Sequence, residues 1–316
     1  MPRIVLGALL CALSLPVWGQ YPARAIRVVV PFPAGSATDT ITRVLAQSVS
    51  QSIGQTLVVE NKAGADGAIA AAEVAKAPPD GYTLLMATNS PMSAVPAMKK
   101  SPPYDPVTDF TPITDVGRYT FFIVVHPSLP AKTLDELIGY ARANPGKLNY
   151  ATGNTTGIVS TAYFASLAKI QIVHVPYKGE PQALTDLIAG RVQLMFCSSS
   201  TSVPQIREGK LRALVTTLGK RSALLPDVPT IGEAGMPQFS ITSWAGLFGP
   251  AKMPREVVER LNKEFAAAMG RADVQAAMEK QAFSLSPSSP ERLAAFVKEQ
   301  MESYRRILRA AGVEPE

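Results

Sequence analysis

The chain has 316 residues, 47% of them hydrophobic and 18% charged, with a formal net charge of +6, two cysteines and two histidines. That apolar fraction excludes a disordered chain, and no Gly-X-Y period marks a collagen. Two His and two Cys lying far apart cannot furnish a His/Cys zinc site. A soluble chain of about two domains is expected, poor in catalytic side chains.

In chain order, Arg3 comes first, followed by an apolar run from Ile4 to about Leu15, then Pro16 and small residues. This is the pattern of a secretory signal peptide, too short to span a membrane. Val17 and Gly19 fit the positions three and one before a cleavage site, so cleavage is expected after Gly19. A buried N-terminal helix is the plainer alternative. A lipoprotein cysteine at Cys11 is disfavoured because Leu10 is not small. Cleavage removes Arg3 as the only charged side chain and leaves Cys197 as the sole cysteine, so no intrachain disulfide can form. The basic residues are dispersed, with Lys99-Lys100 and Arg305-Arg306 only as pairs, which argues against nucleic acid.

The β-branched run 26–31 reads as a strand buried on both faces. A helix follows over 37–53, with Ile41, Val44, Leu45, Val49 and Ile53 on one face and Gly54 as its C-terminal cap. Strand 57–60, helix 68–77 and strand 82–87 complete a βαβαβ unit. Residues 90–118 read as irregular. A second α/β run begins with one strand over 119–125. Thr133 and Glu136 form a capping box for a helix to about Ala143. Strand 148–151, helix 157–168, strand 172–176, helix 181–189, strand 191–196, helix 201–208 and strand 211–217 follow. The tail holds a strand over 243–249, a helix with Pro254 at its first position, and a long helix opened by Ser289-Pro290. This helical block is expected to pack back on the first unit, making that domain discontinuous.

Three sets of residues stand where strands hand over to helices. The first is Pro31–Asp39, where Gly35 permits close backbone approach and Ser36 and Asp39 have capping-box spacing. Free N–H groups at a helix start make an anion site, or the segment is an ordinary βα turn. It is neither a Walker loop nor a GxGxxG turn. The second is Tyr150–Gly157 with Ser160 and Thr161, rich in hydroxyls and without charge. It suits recognition by hydrogen bonds, or is simply a capped helix. The third set is Thr88-Asn89-Ser90, Tyr177-Lys178-Gly179 and Phe196-Cys197-Ser198, each after a strand, where open α/β sheets bind ligands. Lys178 pairs with a ligand carboxylate or sits in solvent. Cys197 is read as a small buried or cleft-lining residue, and His126 and His174 as structural. No GxSxG elbow supports a serine triad.

The segments 21–39 (YPARAIRVVVPFPAGSATD), 58–67 (VVENKAGADG), 78–90, 104–114, 141–157, 173–196, 209–217, 226–235 and 244–254 (WAGLFGPAKMP) together resemble the Bug-type extracytoplasmic solute receptors of tripartite tricarboxylate transporters. The resemblance implies an α/β, type II periplasmic-binding-protein fold: two α/β domains joined by crossing strands, with a ligand cleft between them. The domains would be 20–118 with 245–316, and an inserted 119–244. A periplasmic location, an organic carboxylate as ligand, no cofactor or metal, no catalysis and a monomeric state are implied, with membrane transport subunits or a sensor as partners. It also implies that Phe32, Pro33, Ala34, Gly35, Ser36 and Asp39 hold the ligand on one side. Thr152, Gly153, Asn154, Thr156, Gly157 and Ser160 would lie opposite, with Thr88, Asn89, Tyr177 and Cys197 shaping the distal end.

Two departures from the family stand out. Ser36-Ala37 replaces a common second glycine, and Cys197 replaces a common Asp, which implies a less polar distal group: a mono- or dicarboxylate with an apolar body rather than an amino acid. Truncating Asn154 and Thr156 is expected to weaken binding at little cost in stability. Two rival readings remain. One is an exported enzyme using Cys197. The other is a regulator's effector domain, which would need an N-terminal helix-turn-helix where the signal peptide stands.

Overall fold

The computed structural model describes residues 21–239, 241–310 and 315; Arg3, Cys11 and the cleavage position after Gly19 lie outside the described residues. β1 (Ile26–Val30) runs parallel to β2 (Leu57–Asn61) on one side and to β3 (Thr83–Thr88) on the other, with Val28 paired to both Val59 and Leu84. Ile26 and Val28–Val30 are fully buried. The one polar position, Arg27, is neutralised by Glu60 and Glu73 at 3.0 and 2.8 Å. α1 (Ala37–Ile53) and α2 (Ala68–Ala75) connect these strands. Gly54 ends α1 in the left-handed conformation a side chain would resist.

The segment expected to be irregular is partly ordered. A π-helical turn over Ser90–Ala94 leads into α3 (Val95–Met98), and β4 (Phe110–Tyr119) is a ten-residue strand. The single strand expected over 119–125 is two. β4 ends at Tyr119, and β5 (Phe121–Val125) belongs to a different sheet. Thr120 between them donates its hydroxyl to the Ala282 carbonyl and accepts from the Ser199 N–H.

The second sheet is built from α4 (Leu134–Ala143), β6 (Asn149–Thr152), α5 (Thr155–Ala168), β7 (Val173–Pro176), α6 (Glu180–Ile188), β8 (Leu194–Ser198), α7 (Ser199–Arg207) and β9 (Arg212–Thr216). Thr133 caps α4 by accepting from the Glu136 N–H at 3.2 Å, while the Glu136 carboxylate reaches the Lys132 N–H rather than that of Thr133 itself. The strand order is β7-β6-β8-β5-β9, parallel among β6, β7 and β8 and antiparallel at β5.

The tail returns to the first sheet. β10 (Ser243–Pro250) inserts antiparallel between β3 and β4. α8 (Arg255–Met269) follows, with Pro254 at the N-cap rather than the first helical position. Two elements without a sequence expectation come next, α9 (Ala272–Lys280) and β11 (Phe283–Leu285), the latter pairing with β4. α10 (Pro290–Ala310) closes the chain. The first sheet has the order β11-β4-β10-β3-β1-β2. α8 packs on α1 and β4 as expected, but α10 lies against both β4 and α5, so it bridges the two sheets. The core surrounds these layers, with Trp244, Tyr304, Phe122 and Phe164 the largest fully buried side chains. Among the described residues no helix is long and apolar enough to cross a membrane.

Candidate functional site

The C-terminal ends of β1, β3, β6, β7 and β8 and the crossing strands meet at a cleft of about 100 Å³. One wall is the β1–α1 loop. Gly35 takes a φ of 79°, which a side chain would resist, and turns the chain into α1. Ser36 is the N-cap, its hydroxyl accepting from the Asp39 N–H at 3.3 Å. The Asp39 carboxylate folds back to accept from the Gly35 N–H at 2.9 Å, from Arg43 Nε at 3.0 Å and from Asn61 Nδ2 at 2.9 Å. The Gly35 amide and the Asp39 carboxylate are thus committed to each other and build the loop from behind. The first amides of α1, on Ala37 and Thr38, donate to no other group among the described residues, and both residues line the cleft.

Burial pushes the Asp39 carboxyl up, but the hydrogen bonds from Arg43, Gly35 and Asn61 outweigh it and hold the group below its ordinary value. A carboxylate with a depressed folded pKa stabilises the protein above its unfolded value, near 3.8, and loses that contribution as pH falls through the folded value. The stability gap between wild type and Asp39→Asn, measured by urea unfolding, is therefore expected to be constant above about pH 5 and to shrink below it. A gap unchanged down to the acid limit of folding would show that Asp39 does not brace the loop.

The opposite wall is the start of α5. Asn154 caps it, its Oδ1 accepting from the Gly157 N–H at 2.9 Å. The Thr155 N–H donates at 3.0 Å to Asp66, a residue of the β2–α2 loop with a left-handed backbone (φ 54°). That leaves the Thr156 N–H at the cleft. The Thr156 hydroxyl accepts from Asn89 Nδ2 at 2.7 Å and lies 2.9 Å from Ser90 Oγ. Asn89 is fully buried, and its second amide hydrogen goes to the Tyr304 hydroxyl at 2.5 Å while its oxygen accepts from Ser243 Oγ and the Trp244 N–H. Asn89 therefore ties β3, β10, α10 and α5 together at the back of the cleft, and its hydrogen-bonding capacity is filled by protein. Truncation of Asn154 or Thr156 must then cost stability as well as binding, since one is a helix cap and the other part of a buried network.

The distal wall differs from expectation. Cys197 is fully buried within an apolar cluster with Phe122, Val124 and Met195. Glu180, at the first position of α6, covers it. Glu180 Oε1 accepts from the Ser198 N–H at 2.8 Å, Ser198 Oγ at 2.6 Å, Cys197 Sγ at 3.1 Å and the Thr201 hydroxyl. Burial first, and the Glu180 charge second, push the Cys197 thiol well above its usual range, so it stays protonated and is no nucleophile. The Tyr177 hydroxyl donates to Asp186 on α6. The Thr152 hydroxyl lies 2.6 Å from Nε2 of His174, a ring stacked on Tyr150. Burial lowers the His174 pKa, keeping the ring neutral.

Of the residues expected at the site, Phe32, Pro33, Ala34, Ser36, Thr88, Asn89, Gly153, Asn154 and Thr156 line the cleft. Gly35, Asp39, Thr152, Gly157, Ser160, Tyr177 and Cys197 stand behind them. The structure adds Thr38, Tyr119, Phe121, Glu180, Thr201 and Ser243 to the lining, and places Lys178 on it too. Lys178 and Glu180 are the charged side chains among these lining residues. Among the described residues, no three His, Cys, Asp or Glu side chains gather as a metal ion would require.

Known proteins are similar to this chain in sequence and fold. Residues 41–313 match the tripartite tricarboxylate transporter family receptor, TctC. The chain belongs to that receptor family. The receptor is 32% identical to BugT of Bordetella pertussis over 295 residues, 92% of this chain and 90% of BugT. It is 39% identical to a protein of Pseudomonas sp. strain P51 encoded in the tcbD-tcbE intergenic region, over 91% of this chain and 86% of the relative. The structure of Rpa4515 of R. palustris, solved with adipate, superposes with a TM-score of 0.89 at 34% identity, covering 94% of this chain and all of that one. The receptor thus has the two-domain periplasmic-binding-protein fold and is of Bug type. It is a solute-binding protein of a periplasmic receptor family, not an enzyme, in keeping with the shielded state of Cys197.

Proposed function

We propose that the receptor captures an organic carboxylate between the N-termini of α1 and α5 and closes two domains over it. The observation that carries this reading is the pair of helix starts facing one cleft. The N–H groups of Ala37, Thr38 and Thr156, unpaired among the described residues, and the Ser36 hydroxyl sit at the positive ends of two helix dipoles, with no arginine among the described lining residues. The bound adipate of Rpa4515 supports a carboxylate as the ligand class.

The two domains follow the division expected from the sequence, 20–118 with 245–316 and 119–244, with the boundary moved so that Tyr119, Ser243 and Trp244, which pair within the first sheet, go with the first domain. The passage from one sheet to the other at Thr120 supports this division. The ligand stabilises the closed state because it touches both walls at once. The closed form is what tripartite-type membrane subunits, or a sensor, would recognise. The mature receptor begins after Gly19 and works as a monomer in the periplasm.

A thermal-unfolding screen of carboxylic acids, each run beside its primary amide, tests the reading. An acid that binds, supplied at a hundred times its dissociation constant, should stabilise the receptor by about 2.7 kcal/mol, and the matching amide should give no shift. Equal shifts from acids and amides, or shifts from neither, would contradict it.

A further inference from the structure

Of the two charged side chains that line the cleft, Lys178 and Glu180, the one held in place by the protein is the carboxylate. Glu180 lines the cleft on its distal wall. Its Oε1 is held by Ser198 through both N–H and hydroxyl, by Thr201 and by the Cys197 thiol. These contacts converge on one oxygen and fix the carboxylate in place. Oε2 has no hydrogen-bond partner among the described residues. Gly153 packs directly against the backbone of Gly179 and Glu180, which sets how near this carboxylate stands to the α5 wall. Lys178, two residues earlier, is exposed and forms no ion pair with Glu180 among the described residues.

The geometry points to Glu180 as the residue that sets ligand class. Resting on the carboxylate reading above, the receptor selects a monocarboxylate whose far end donates hydrogen bonds to Glu180, best of all an ammonium group, and discriminates against dicarboxylates. A second ligand carboxylate would meet a fixed like charge that Lys178, exposed at the rim of the same cleft, does not pair among the described residues. A ligand ammonium or hydroxyl would instead complete the open oxygen. Preorganisation favours this further, because the Glu180 side chain loses little freedom on binding. The apolar distal end expected from Cys197 does not arise, since Glu180 lies between the thiol and the cleft.

Calorimetric titration of two matched series tests the assignment: butanoate, 4-aminobutanoate and succinate, and hexanoate, 6-aminohexanoate and adipate. Each is run with the full mature receptor and with Glu180→Gln, which keeps an oxygen acceptor for Ser198 and Thr201 while removing the charge. In the wild type, the ω-amino acid of at least one series should bind ten or more times tighter than its dicarboxylate. In Glu180→Gln that ratio should fall at least tenfold, with an unchanged near-ultraviolet circular dichroism spectrum reporting an intact fold. Monocarboxylate binding with no preference against dicarboxylates, or a preference that survives Glu180→Gln, would overturn the role of Glu180 and leave the carboxylate reading standing. Failure of every acid in both series to bind would overturn both.

Discussion

Replacing Asn89 with alanine should destabilise the protein by about 3–5 kcal/mol, the sum of several buried groups left without partners. Asn89 is fully buried and satisfies the Tyr304 hydroxyl, the Thr156 hydroxyl, Ser243 and the Trp244 N–H with one amide. The Tyr304 hydroxyl and the Trp244 N–H, both fully buried and away from the cleft lining, cannot turn to water when the amide is removed. A midpoint loss of about 5–8 °C is expected for a chain of this size, read by differential scanning calorimetry. Affinity should fall as well, because Thr156 is held at the cleft through this network. A midpoint shift below about 2 °C, well under that range, would show that water or repacking replaces the amide and that the two sheets are not braced here.

The second large effect is expected at Gly153. A Cβ there would lie 2.2 Å from the Glu180 nitrogen and 2.5 Å from both the Glu180 Cα and the Gly179 carbonyl carbon. Every one of these is a backbone atom, so no rotamer change can relieve the clash. The start of α6 must move away from β6 and carry Glu180 with it. Gly153→Ala should cost about 1–3 kcal/mol by overpacking and reduce affinity about a hundredfold, near 2.7 kcal/mol of binding free energy. Affinity within threefold of wild type would mean that the α6 wall tolerates displacement and that its position does not define the site.

Much of the fold could be read where one physical signal dominates. The run Ile26–Val30 is β-branched and apolar, and it is a central strand. The helix Ala37–Ile53 has a single apolar stripe, a serine N-cap and a glycine C-cap, and both its ends fall where these residues place them. β4 was not legible because Thr111, Pro112, Thr114, Asp115 and Gly117 interrupt any apolar pattern. It is a strand because β10 and β11 pair with it from both sides, a constraint supplied by residues more than a hundred positions away. The break at Thr120 was hidden for a related reason: Tyr119 and Phe121 are both apolar and buried, yet they face different sheets.

The site divides in the same way. The two loops announced themselves through Gly35, Ser36, Gly153 and Asn154 at strand-to-helix junctions, and all but Gly35 line the cleft. Spacing alone could not distinguish residues that face the cleft from those that brace it. Asp39, Thr152 and Tyr177 turn their polar atoms to Arg43, His174 and Asp186. Asp66 was overlooked because nothing local shows that its carboxylate reaches α5, 89 positions on. Glu180 was overlooked because its partners, Ser198 and Thr201, come from a later strand and helix. The available clue was an acidic residue directly after Tyr177-Lys178-Gly179, at the mouth of a strand already marked as ligand-facing.

The most direct test of a carboxylate held between two helix starts is a crystal structure of the mature receptor with an acid identified by the thermal screen. The account predicts one ligand carboxylate within about 3 Å, hydrogen-bonding distance, of the Ser36 hydroxyl or the Ala37 and Thr38 N–H groups, and of the Thr156 N–H across the cleft. A carboxylate bound against Lys178 alone, or touching loops of only one sheet, would contradict it.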